Sequence, residues 1–144
     1  MKRFVLILAA AWVCVLSSQL SRLFAAETPS IIAVKGPTVV AFFPPVTKAE
    51  LEKDPDTNET LADFQTYAAR VREPFKKSGI ELHEVYAHSF QLRVGNTVTT
   101  FHPTKEQIGY YFVAPGKKPR IEYGVLTHVD LLDIAHEYFG TPPE

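Results

Sequence analysis

Six consecutive residues constrain this chain more than any others: Thr38-Val39-Val40-Ala41-Phe42-Phe43, closed by Pro44-Pro45. An unbroken run of β-branched and aromatic side chains, too short for a helix, predicts a strand covered on both faces. Such a strand sits inside a sheet and needs a layer packed above and another below it, which points to an α/β architecture. The two prolines end it, because proline has no N–H to give to the ladder.

The rest of the pattern builds around that strand. Leu61, Phe64, Ala68, Val71 and Phe75 recur at spacings of 3, 4, 3 and 4 and predict an amphipathic helix. Asn58 is its expected N-cap, Gly79 its stop, and Pro74 the place where it kinks or ends. Residues 53–58 read as a loop, and residues 47–51 as one or two helical turns. Residues 80–87 form the next strand. A right-handed crossover through the helix makes it a parallel neighbour of 39–43. Residues 90–94 and 97–102 flank Gly95-Asn96 and form a hairpin. After a loop at 103–107, strands at 109–113 and 120–125 are joined by a turn at 115–119. Thr127 then caps a closing helix, with Asp130 placed as in a capping box. Val40, Phe42, Leu82, Val85, Phe112 and Leu132 are expected in the core. Residues 31–34 are a brief apolar run before the turn at Lys35-Gly36-Pro37.

Charge divides the chain in two. Residues 1–26 hold Lys2, Arg3 and Arg22 and no acid, whereas the remainder carries 12 basic and 16 acidic residues. A mildly acidic domain lacks the basic footprint of a nucleic-acid or anionic-lipid binder, so no nucleic-acid partner is expected. At 46% hydrophobic, the chain is also no disordered segment.

Residues 1–26 read as a signal peptide. Lys2 and Arg3 precede 13 apolar residues, 4–16, then a polar patch and the small pair Ala25-Ala26. Thirteen residues at about 1.5 Å each fall short of a ~30 Å bilayer core. Residues 27–144 are then the exported domain, periplasmic or secreted. Phe24 is bulky for its place in the cleavage site, so the alternative is an uncleaved anchor, the one route by which the chain would meet a membrane. The single cysteine, Cys14, lies in the apolar run behind Trp12-Val13, which is too bulky for a lipoprotein box. Cleavage leaves a domain with no disulfide, no thiol nucleophile and no thiolate ligand.

The order strand, helix, strand, hairpin, strand, strand, helix, over about residues 31–140, resembles the thioredoxin-like superfamily. The unit 39–43, helix, 80–87 is similar to its β-α-β half, and 109–139 to its closing β-β-α half. The resemblance implies a central mixed sheet flanked by helices, here with an extra β-hairpin in place of the family's short helix. It also implies that the family's Cys-x-x-Cys would fall at Thr47 and Glu50, and its cis-proline at Gly109, which follows Ile108. Residues 44–47 faintly resemble the peroxiredoxin loop, again without its cysteine. A threonine hydroxyl has no thiol–disulfide chemistry, so the family's redox activities do not carry over. What does carry over is the peptide groove between the two loops. Pro44, Pro45, Thr47, Glu50, Gln107, Gly109 and Tyr110 would line it, with the two prolines stiff and the Tyr110 ring offering an amphipathic surface. The competing reading places that tyrosine in the core.

Other chemistry finds little support. His83 and His88 are five apart on an extended segment, and His128 and His136 two turns apart on a helix, about 12 Å. Neither pair is a local chelate, and no metal or cofactor is expected. Thr47, Ser89 and several carboxylates are present, yet no nucleophile elbow surrounds them. The reading is an exported, non-redox thioredoxin-like domain that binds a protein or peptide. Two alternatives stay open: a metal-dependent or hydrolytic enzyme using histidine and carboxylate residues, and a membrane-anchored structural protein.

Overall fold

The computed structural model describes residues 29–140. The segment read as a signal peptide, residues 1–26, lies outside them. The described elements are β1 (Ser30–Val34), β2 (Thr38–Phe43), α1 (Lys48–Lys53), α2 (Pro55–Lys77), β3 (Glu81–Tyr86), β4 (Phe90–Val94), β5 (Thr97–Phe101), β6 (Gly109–Val113), β7 (Arg120–Tyr123) and α3 (His128–Phe139).

They form a mixed α/β structure with two mixed sheets. The larger has the order β3-β2-β6-β7, and the smaller β1-β4-β5. Every residue of β2 is buried, as its unbroken apolar run requires. It lies between β3, parallel to it from Thr38↔Glu81 to Phe43↔Tyr86, and β6, antiparallel to it from Thr38↔Val113 to Phe42↔Gly109. The parallel pairing matches the sequence reading.

Alternation along β2 divides the core in two. Val39, Ala41 and Phe43 pack with Phe64, Val71 and Phe75 of α2 and with Leu131 and Ala135 of α3. Val40 and Phe42 face the other way, onto Ile32, Phe90 and Leu92 of the smaller sheet. The helices therefore cover one face of the larger sheet, and the smaller sheet covers the opposite one. This corrects the expectation of a sheet flanked by helices. The hairpin brings a strand layer of its own, joined by β1, which had read only as an apolar run. β1 pairs in parallel with β4, from Ser30↔Phe90 to Val34↔Val94.

Local corrections have local causes. α2 starts at Pro55, not beyond Asn58. The Asp54 carboxylate accepts the Thr57 amide at 3.2 Å, and Pro55, with no N–H to lose, fits the first turn. The helix continues through Pro74 to Lys77. α1 and α3 both begin with capping boxes, Thr47 with Glu50 and Thr127 with Asp130. Of the six expected core residues, Val40, Phe42, Val85 and Phe112 are buried, whereas Leu82 and Leu132 are half-buried under the helix layer. The β4–β5 hairpin turns at Gly95, whose φ is +59°. A positive φ there and none at Asn96 suits a type II′ turn.

Candidate functional site

The two loops expected to converge do so at one end of the larger sheet. Residues 44–47 leave β2 and enter α1, and residues 102–108 connect β5 to β6. Lys105 Nζ stands 3.6 Å from Glu50 Oε1 across the gap between them. Sequence reasoning missed Lys105, although a lysine in a loop facing a helix start was a readable signal.

Thr47 and Glu50 are absorbed in capping. The Thr47 amide donates to Glu50 Oε2 at 2.8 Å, and the Thr47 hydroxyl donates to the same oxygen at 2.8 Å. The Glu50 amide donates back to Thr47 Oγ1 at 3.3 Å. These bonds from Thr47, with a smaller contribution from Lys105, hold the Glu50 carboxyl below the usual glutamate range. A hydroxyl donating to a carboxylate has the outline of a nucleophile and its base. A carboxylate with a lowered pKa is a poor general base near neutral pH, and what the pair visibly does is cap the helix. Asp54 is shifted the same way, chiefly by the Thr57 hydroxyl, which donates at 2.7 Å, and then by the Thr57 amide.

The remaining groove residues separate by exposure. Gln107 is exposed, Pro45 is half-buried, and Pro44 and Gly109 are buried. Tyr110 is fully buried. Its ring stacks on Phe64 at 5.1 Å, inside the core beneath α2. This corrects the reading of Tyr110 as an exposed ring on the groove. β6 is apolar on both faces, so alternation alone could not show which tyrosine points to which layer. Tyr111 faces the smaller sheet, with its ring 4.9 Å from that of Phe101.

The histidines are scattered. His83 is in β3, His88 in the β3–β4 connection, His102 just after β5, and His128 and His136 in α3, where the His128 ring lies 6.1 Å from that of Tyr67. Among the described residues no cluster of three or more His, Cys, Asp or Glu could hold a metal ion. No helix among them is long and apolar enough to cross a membrane.

Two hollows of the described surface lie close to these elements. An open cleft of about 420 Å³ lies between the end of α2 and the start of β3, lined by Arg72, Lys76, Gly79, Ile80, Glu81 and Leu82. A smaller one, about 60 Å³, lies where β5, the 102–108 loop and β7 meet. Phe42, Phe101, His102, Pro103 and Gln107 line it beside Ile121 and Tyr123. No family model, curated protein or solved structure matches the chain.

Proposed function

We propose that residues 27–144 form a non-redox thioredoxin-like domain that binds a protein or peptide, exported by the signal in residues 1–26. One observation carries the reading. In the larger sheet the first strand lies between a parallel second and an antiparallel third, and a helix begins directly behind that first strand. The thioredoxin-like superfamily places its dithiol at this helix start. Here Thr47 and Glu50 stand there, bonded to each other as a cap. A domain that keeps the scaffold and fills the reactive position with a cap has its scope in recognition, not in electron transfer.

Two measurements test this. The mature domain does not accelerate the reduction of insulin by dithiothreitol, and turnover above the blank would overturn the non-redox assignment. A photoreactive residue placed at Gln107 captures a discrete partner from the native envelope fraction, while one at Glu73 on the exposed side of α2 does not. Equal or absent capture from both positions would remove the binding assignment.

A further inference from the structure

The two sheets are unequal, and the mismatch leaves one strand position vacant. The contacts Phe42–Phe90 at 5.9 Å and Phe101–Tyr111 at 4.9 Å set β4 over β2 and β5 over β6. β7 therefore extends one strand beyond the cover. Ile121 pairs with Tyr111 and Tyr123 with Gly109, so both point toward the side of the smaller sheet. They are 38% and 55% exposed there, and the small hollow beside β5 is bordered by both.

The edge of β5 faces the same vacancy. The pair Val94↔Thr97 closes the hairpin, so Thr97, Thr99 and Phe101 spend their backbone groups on β4. Val98 and Thr100 turn their N–H and C=O groups outward. None of the usual edge protection is present, because β5 has no charged residue and no proline. The two edges of the larger sheet are defended with charge: β3 carries Glu81 and Glu84, and β7 carries Arg120 and Glu122, themselves ion-paired at 2.6 Å.

We propose that this place receives one extended segment of a partner protein, added as a fourth strand to the order β1-β4-β5. The inference rests on the reading of the domain as a binding module and moves its surface from the loop groove to the β5 edge. Backbone groups of Val98 and Thr100 hold the segment, and Ile121 and Tyr123 form its floor. Charge narrows its chemistry. The floor is uncharged, so the two inward positions, two residues apart, are apolar. On the outer face Arg93 stands beside Val98 and makes no ion pair among the described residues. The outward residue between the two apolar ones is therefore acidic. A second copy of this chain fits less well: its own β7 ledge would enter the space already held by β6 and β7.

The probe is a capped synthetic pentapeptide, Thr-Ile-Glu-Val-Thr, added to the isotope-labelled domain. Binding should slow hydrogen exchange at the Val98 and Thr100 amides. Val98→Pro removes an outward donor without touching the β4 ladder, and it should weaken binding about tenfold or more, the loss expected for one or two hydrogen bonds. Methylating the outward-bonding peptide nitrogens, which leaves the protein unchanged, should do the same, and replacing the peptide's glutamate by lysine should also weaken it. Protection confined to residues 44–50 and 102–108 would overturn the strand-addition site while leaving the binding module standing. No binding at millimolar peptide would also overturn the site, and the photocapture from Gln107 then decides the broader reading separately.

Discussion

The Thr47 hydroxyl and the Glu50 carboxylate are joined at 2.8 Å, so the helix start behind the central strand is closed by its own side chains. This closure has a pH signature. Hydrogen bonds from Thr47 lower the Glu50 carboxyl, and those from Thr57 lower Asp54. A carboxyl lowered in the folded state adds stability above its unfolded pKa, and that contribution is lost as pH falls through the folded value. Glu50→Gln should therefore lower the melting temperature at neutral pH and lose that effect progressively as the pH falls below the ordinary glutamate range and through the lowered folded value. A melting difference that stays constant across this range would exclude the ionised cap.

Gly109 meets the backbone of β7 with no room for a side chain. A Cβ there would collide with the Glu122 carbonyl oxygen and stand 2.9 Å from the Tyr123 Cα. Backbone atoms cannot rotate away as a side chain can, so Gly109→Ala must part β6 from β7. The expected cost is about 1–3 kcal/mol or more, read from denaturant unfolding. A neutral substitution would mean that the two strands are further apart than described here.

Phe64 is the central ring of the helix-side core. It is fully buried, 5.3 Å from Phe43, 5.1 Å from Tyr110 and 6.3 Å from Tyr86. Phe64→Ala should cost about 3–5 kcal/mol, a large part of the ~5–15 kcal/mol of an ordinary domain. Val98→Ala on the exposed edge should change stability by less than about 0.5 kcal/mol. Equal losses at the two sites would contradict the assignment of the core.

Four of the six tyrosines have raised pKa values in the folded protein. Burial is the leading cause for Tyr86, Tyr110, Tyr111 and Tyr138, and the nearby Glu84 carboxylate adds to it at Tyr86, which is pushed up to about 12. A raised pKa contributes stability that is complete below the unfolded value, about 10, and is lost as pH rises through the folded value. Ultraviolet titration should show these phenols ionising late in the native protein and in the ordinary range in denaturant. Alkaline unfolding should set in within that interval, and coincident native and denatured curves would refute the burial.

Much of the fold was legible because its signals are local. The unbroken run of β2, the 3-and-4 spacing of α2, the Gly95-Asn96 turn and the Thr127 cap each lie within fifteen residues. What escaped the sequence depends on distant partners. Five residues of β1 carry no sign of a strand sixty positions away. The apolar faces of β2 and β6 demand cover without saying whether helix or sheet provides it, which is why Tyr110 read as a surface ring. Asp54-Pro55 is ambiguous for a chemical reason: the residues that cap a helix also populate loops. The convergence of the loops at residues 44–50 and 102–108 followed from topology, whereas the vacancy beside β5 arises only when the two sheets are stacked.

The parallel pairing of β1 with β4 also bears on the order of events during synthesis. Ser30 is made sixty residues before Phe90, its partner in register. A strand that leaves the ribosome first has nothing to pair with until the chain has passed β4. Meanwhile β2, α2 and β3, joined through a shorter crossover, can already meet. Closing the longer loop costs only slightly more chain entropy, so any delay comes from the order of synthesis, because β4 is made after β2, α2 and β3. Ile32, buried in the finished domain, lacks its β4 neighbour Leu92 until that pairing forms, whereas Ile31 stays half-exposed even then.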